Sequence, residues 1–307
     1  MPEDITTSEV TRWLLEGPAW LRYAVELQLL DGQSDAAPAV RDSDISAIIN
    51  RLKGSQAGIP AIRAGRVHYT DTGKAYWDLF LLADIGLTVR DTGLEDEVND
   101  LLQLQSPDGS YTLPPNVQDN YFCMSAILFA SIARMGYRDD PHIKKYIQAI
   151  LDSRGRGGGW DCYGDGWSAD SCPMDNMNIL MLLGQYDNYR HSPALHGAID
   201  ALLRHWQTRE HSYGFGIGRR FRSLQYPAVK YGILRVLDVL SLFPYAAEQP
   251  AFGEMLGLVR GKARDGRYYA EAVAGAYAGL DFARMDEPSR WITFLVNRIE
   301  KRISQHL

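Results

Sequence analysis

Five stretches of the chain carry apolar residues at helical spacing on one face only: Ile45/Ile48/Ile49/Leu52, Leu94/Val98/Leu101/Leu102, Ile143/Ile147/Ile150/Leu151, Leu195/Ile199/Leu202/Trp206 and Phe252/Met255/Leu256/Val259. A shorter one, Val10/Trp13/Leu14, precedes them. Each is followed by a stretch that is apolar on nearly every face, at about 18–31, 73–86, 119–136, 173–185, 227–243 and 288–303. A one-sided helix lies at a surface, whereas a helix that is apolar all round is buried on all sides. The chain therefore alternates surface helix and buried helix six times, with successive buried helices starting 55, 46, 54, 54 and 61 residues apart. Such a period marks a repeat architecture. Six surface–buried pairs predict an all-α fold, an (α/α)6 toroid with six inner and six outer helices. No linker, charge block or low-complexity stretch divides it, so one domain over residues 1–307 is expected.

The turns carry the same period. Four surface helices lead into a glycine and then an aromatic: Asp108-Gly109-Ser110-Tyr111, Gly158-Gly159-Trp160, Tyr213-Gly214-Phe215 and Asp265-Gly266-Arg267-Tyr268. Glycine suits the left-handed conformation that ends a helix, and the aromatic then folds back over the helix end. Pro18, Asp119, Pro173, Pro227 and Pro288 stand where the buried helices open, as N-caps or first-turn residues. Asp42-Ser43-Asp44 reads as the N-cap of a surface helix.

These motifs carry a resemblance. Gln105-Ser106-Pro107-Asp108-Gly109-Ser110-Tyr111 is similar to the Gln–Trp repeat of squalene and oxidosqualene cyclases. Gly158-Gly159-Trp160 resembles the double-glycine turn of protein prenyltransferase β subunits. The chain resembles bacterial prenyltransferase/squalene-oxidase repeat proteins over roughly residues 40 to 303, including the ending Glu287-Pro288-Ser289-Arg290-Trp291-Ile292-Thr293-Phe294-Leu295. The resemblance implies the toroid of terpenoid cyclases and protein prenyltransferases. Its repeats are structural, so it says less about chemistry.

Composition narrows the classes. The 307 residues are 46% hydrophobic and 23% charged, ordinary for a globular chain able to bury a full core. A net charge of -6 provides no basic face for nucleic acid. The N-terminus lacks the basic and apolar regions of a signal peptide. No apolar run reaches the roughly 18 residues of a membrane span. Three cysteines without scaffold spacing suit a reducing, cytoplasmic setting.

The densest chemistry lies in Gly157–Pro173, which holds two of those three cysteines. In protein prenyltransferases one Asp-x-Cys after the double-glycine turn supplies two zinc ligands, and Asp170-Ser171-Cys172 stands at the matching place. Cys172 would then open the fourth inner helix, whose dipole favours a thiolate. The family's third ligand is a histidine near the next inner helix, where this chain has Tyr226-Pro227-Ala228-Val229-Lys230-Tyr231 and no histidine. Cys162 in the same loop and Cys123 on the third inner helix are the available substitutes, making Cys123, Cys162, Asp170 and Cys172 the candidate Zn2+ ligands. The plainer alternative is three buried thiols that need no metal. Trp160-Asp161-Cys162-Tyr163-Gly164 is faintly similar to lanthipeptide cyclases, but their Cys-His-Gly motif is absent.

Other groups are candidates by position. The Asp-x-Asp-Asp and Asp-Asp-x-x-Asp motifs of terpene cyclases and synthases are missing, which disfavours classical cyclisation. Asp78, Asp119 and Tyr231 are the candidate catalytic groups, because a carboxylate on a buried helix needs a partner. Asp119 has the explanation of a helix cap, and Lys74, one turn before Asp78, is a candidate partner for it. Arg219, Arg220, Arg222, Lys230 and Arg290 flank inner-helix starts and offer an anion site of the kind that holds a diphosphate; the bland alternative is a solvated basic loop. The histidines fall mostly on surface helices or loops. The expectation is a terpenoid cyclase- or prenyltransferase-like enzyme acting on an isoprenoid or other apolar substrate in the lumen. Alternatives are a non-catalytic toroid that binds an apolar ligand, one that binds a protein partner or a second copy, and a carbohydrate-active enzyme on the same ring.

Overall fold

The computed structural model describes residues 9–111, 113, 122–161, 171–209, 216–226 and 231–306, with Phe122 and Cys123 by backbone alone. The protein is all-α. Among the described residues, twelve helices of seven residues or more follow one another: α1 (Glu9–Leu15), α2 (Ala19–Gln28), α3 (Ser43–Lys53), α4 (Ala75–Ile85), α5 (Glu95–Leu102), α6 (Phe122–Ile132), α7 (Pro141–Asp152), α8 (Pro173–Leu183), α9 (His196–Thr208), α10 (Ile233–Leu240), α11 (Pro250–Arg260) and α12 (Arg290–His306). The odd-numbered helices fall on the one-sided segments and the even-numbered ones on the segments expected to be apolar all round. Of the latter, α2 and α12 are one-sided instead: α2 exposes Arg22, and α12 carries Asn297, Glu300 and Lys301 on its less buried face. Every residue of α4 and of α8 is buried, polar ones included. α3, by contrast, buries Ile45, Ile48, Ile49 and Leu52 and turns its other faces outward.

The even helices contact one another in a cycle: α2 with α4, α4 with α6, α6 with α8, α8 with α10, α10 with α12, and α12 back to α2. Their C-terminal ends converge. Leu27 of α2, Ala83 of α4, Ala133 just beyond α6, Met181 of α8, Val239 of α10 and Arg302 of α12 all line one cavity. The six helices are therefore parallel, with their N-termini toward the other end.

Local chemistry explains most boundaries. Asp42 caps α3 by accepting from the Asp44 amide at 3.0 Å, and Asp140 caps α7 at 2.8 Å ahead of Pro141. Gly109, Gly158 and Gly266 are left-handed, at φ +92°, +83° and +71°. Two aromatics do fold back: the Tyr111 hydroxyl donates to Leu102 O (3.0 Å) and the Trp160 indole to Ile150 O (2.8 Å). Each closes a carbonyl that the end of an outer helix leaves open. Pro18 is the N-cap of α2 and Pro173 the first residue of α8.

Two starts differ from the spacing. The fifth even helix opens at Ile233, not near Pro227, which lies outside the described residues. Pro288 does not open α12; it pairs with Tyr269 in a short antiparallel ladder, β2 (Tyr268–Tyr269) against β4 (Pro288–Ser289). The cap of α12 comes instead from Asp281, whose carboxylate accepts from the amides of Arg290 (3.0 Å) and Trp291 (2.8 Å). A second ladder, β1 (Gln225–Tyr226) parallel to β3 (Ala272–Val273), ties the segment before α10 to the one before α12.

Candidate functional site

The double-glycine turn is rigid for reasons of space. A Cβ on Gly158 would stand 3.1 Å from Gly197 Cα of α9, and one on Gly159 only 2.8 Å from Asn176 Oδ1. Asn176, fully buried on α8, accepts from the Trp160 amide (3.1 Å) and donates to Cys172 O and Ser171 Oγ, both at 2.8 Å. The Cys172 amide donates back to Trp160 O at 3.1 Å. One asparagine thus pins the turn against the start of α8 and fixes Cys172, the N-cap residue, with 5% exposure.

Tyr231, which precedes α10, has its hydroxyl pushed well above the ordinary range, first by burial and then by the negative field of Cys172. The same hydroxyl shares a 2.9 Å hydrogen bond with Nδ1 of His205, whose ring stacks on it at 5.3 Å. His205 projects from α9 and is 3% exposed. The phenol and the imidazole therefore meet at the N-terminal end of the even helices, within the field of the Cys172 thiol at the start of α8. Such a set can hold a proton, or carry a thiolate that the helix dipole favours.

As for the expected metal ligands, Cys162 and Asp170 lie outside the described residues, as do Asp119 and Lys230, and the Cys123 side chain is not described. Tetrahedral zinc needs about four donors. Among the described residues no group of three or more His, Cys, Asp or Glu side chains is placed to hold a metal. The described donors alone do not make up a zinc site.

Asp78 is completely buried in the first turn of α4, and its partner is not Lys74, whose ammonium faces Asp71 at 3.7 Å. Arg51, from the last turn of α3, forks onto both Asp78 oxygens at 2.7 and 2.8 Å, and the Tyr277 hydroxyl adds a third bond at 2.8 Å. Burial keeps the Asp78 carboxyl above its usual range in spite of Arg51. Of the arginines, Arg219 and Arg222 line a 500 Å³ surface cavity with Lys262 and Glu271. Arg220 is exposed on the same helical turn, and Arg290 lines a different cavity with Asp281 and lies over the Trp13 ring. The two groups of arginines do not share a pocket.

Toward the C-terminal ends of the even helices, a charged cluster bridges the axis. Asp84, in the last turn of α4, receives Arg134 (3.0 Å), Arg298 (2.8 Å) and the Tyr226 hydroxyl (2.9 Å). Asp238 of α10 receives Arg298 at 2.8 Å and Arg302 at 2.9 Å. Arg235 of α10 donates to Asn178 of α8 and lies over the Phe80 ring of α4. None of the charged groups of this cluster stood out as a candidate in the sequence, nor did His205. The signal for Asp84, Arg235 and Arg298 is a charged residue inside a run that is otherwise apolar all round.

A scan against protein-family models finds none that matches the chain, and a search of curated proteins finds no significant similarity.

Proposed function

We propose that the chain is an (α/α)6 toroid of the terpenoid cyclase and prenyltransferase kind, and that it is an enzyme acting on an isoprenoid or similarly apolar substrate. The substrate would lie at the N-terminal end of the inner helices, beside Cys172, rather than through the whole lumen. The cyclic contact of the six even helices supports the ring. The observation that carries the site is the hydrogen bond between Tyr231 and His205 within the field of Cys172, whose place at the start of α8 Asn176 holds. A buried thiol and imidazole with a half-buried phenol, drawn from three elements, are costly to assemble for packing alone. In this reading Cys172 supplies the thiolate, His205 and Tyr231 position it and manage its proton, and the aromatic residues around them bind apolar carbon. The restriction to one end rests on the Asp84–Arg298–Asp238 cluster, which joins α4, α12 and α10 and bridges the axis toward their C-terminal ends.

The test is incubation of purified protein with farnesyl and geranylgeranyl diphosphate, following their consumption by mass spectrometry. Wild type should turn over at least one of them, and Cys172→Ser and Tyr231→Phe should slow it by about 100-fold or more. An inert wild-type protein, or variants as fast as wild type, would refute the reading.

A further inference from the structure

At the opposite end of the even helices, about 16 Å from Cys172 along α8, lies the cavity where all six C-termini meet. It encloses about 340 Å³, and four arginines line it (Arg134, Arg138, Arg190 and Arg302) against one carboxylate, Asp238. Its remaining wall is largely aliphatic, from Leu27 and Ala83 to Met181 and Leu242.

Cations at helix C-termini have an ordinary explanation, since they complement the dipole and cap open carbonyls. Part of the cluster does this. Arg190 Nε donates to Gly184 O (2.6 Å), Arg298 to Asp84 O (3.3 Å) and Arg302 to Asp238 O (2.9 Å). Three features exceed that role. Arg134 and Arg302 bond the described residues through Nη1 alone, although each guanidinium carries five N–H donors. Both are only about one-fifth exposed and both line the cavity, so their remaining donors are held close to it. The partners of the two outer arginines are exposed carboxylates, Asp139 at 3.7 Å and Asp187 at 3.1 Å. Such pairs are weak, and their guanidiniums exchange partners at little cost. Finally, three buried or half-buried cations (Arg134, Arg298, Arg302) share two carboxylates (Asp84, Asp238). Burial, together with Arg298 and Arg134, pushes the Arg302 guanidinium down to about 10 against the pull of Asp238. Counting buried side chains alone, positive charge is in excess here, and Arg138 and Arg190 add none beyond their own partners Asp139 and Asp187.

We infer that this C-terminal mouth is a binding site for a multivalent oxyanion, a phosphate or diphosphate group, distinct from the Cys172 end. Arg134 and Arg302 form its floor and Arg138 and Arg190 its rim. Planar guanidiniums grip two phosphate oxygens at once, which suits four of them around one small cavity. Arg138 and Arg190 stand outside the buried cluster, so they can be changed without opening it.

Calorimetric titration with sodium pyrophosphate, and separately with inorganic phosphate, tests the site. Wild type should bind pyrophosphate at one site per chain, more tightly than phosphate, and its melting temperature should rise with either. The double variant Arg138→Gln/Arg190→Gln, which gives up the Arg190 bond to Gly184 O, should melt within about 4 °C of wild type without ligand and bind pyrophosphate about tenfold or more weakly. Affinity should fall as salt is raised. Absence of binding by wild type at millimolar pyrophosphate, or unchanged affinity in the double variant, overturns the inference. Neither result depends on activity at Cys172.

Discussion

The Arg235 guanidinium lies 5.0 Å from the centre of the Phe80 ring, although the two residues sit on the fifth and second of six helices that contact in a cycle. They are diametric positions. A contact between them is possible only if side chains cross the axis, and it marks the level at which the interior is bridged. Arg235 is itself completely buried, and burial first pulls its guanidinium down to about 9. Replacing it with methionine keeps the volume and removes a costly charge. Arg235→Met should therefore stay folded, with a stability within about 1.5 kcal/mol of wild type by urea unfolding.

Breaking the neighbouring cluster should cost far more. Asp84 is 1% exposed and takes bonds from Arg134, Arg298 and Tyr226. Asp84→Asn removes the charge but not the two arginines, which leaves buried cations short of a partner. A loss of about 3–5 kcal/mol is expected in urea unfolding.

The same carboxylate gives an acid signature. Burial alone would push the Asp84 pKa up, but Arg298, Arg134 and Tyr226 outweigh it and hold it at about 2. Because that lies below the unfolded value of about 3.9, its contribution is complete above about pH 4 and is lost as pH falls toward 2. Asp78 has the opposite sign. Its folded pKa is raised, so protonation favours the fold and the benefit is lost as pH rises through that value. Wild type should lose stability between about pH 4 and pH 2, and Asp84→Asn should lose much less in that window. At neutral pH, Asp78→Asn should cost less than Asp84→Asn.

Gly158→Ala tests the double-glycine turn. The position is left-handed and its Cβ would press on Gly197, so both conformation and space oppose a side chain. A loss of about 1–3 kcal/mol is expected. Gly253→Ala, on an outer helix with nothing within 4 Å of the new Cβ, should be neutral or slightly stabilising.

Much of the helix order was legible because burial leaves a periodic record. The run from Ala75 to Ile85 is apolar on every side, and that is how it packs. What the periodicity does not record is the source of long-range polar partners. Asp78 was visible as a buried carboxylate, yet Arg51 reaches it from 27 residues away, whereas Lys74 is the neighbour by sequence. His205 was hidden because it lies on a one-sided helix, and one-sidedness says which face is apolar, not which polar residue that face also buries. Tyr226 and Tyr277 come from short irregular segments with no period to read. Asp281, capping α12 from nine residues upstream, was masked by a proline that suggested a simpler start.

On the proposed function an apolar substrate occupies the N-terminal end beside Cys172, and the Asp84–Arg298–Asp238 cluster keeps it from the C-terminal end. Photo-crosslinking with a neutral benzophenone analogue of geranylgeraniol, mapped by peptide mass spectrometry, decides between the two ends. A neutral probe lacks the charge by which the arginine-lined mouth is inferred to bind its ligand. Labelling should concentrate near Cys172 and Tyr231 and be competed by unlabelled geranylgeraniol. Labelling at Met181, Leu242 and the other residues of the C-terminal mouth, or none that competitor removes, would contradict it.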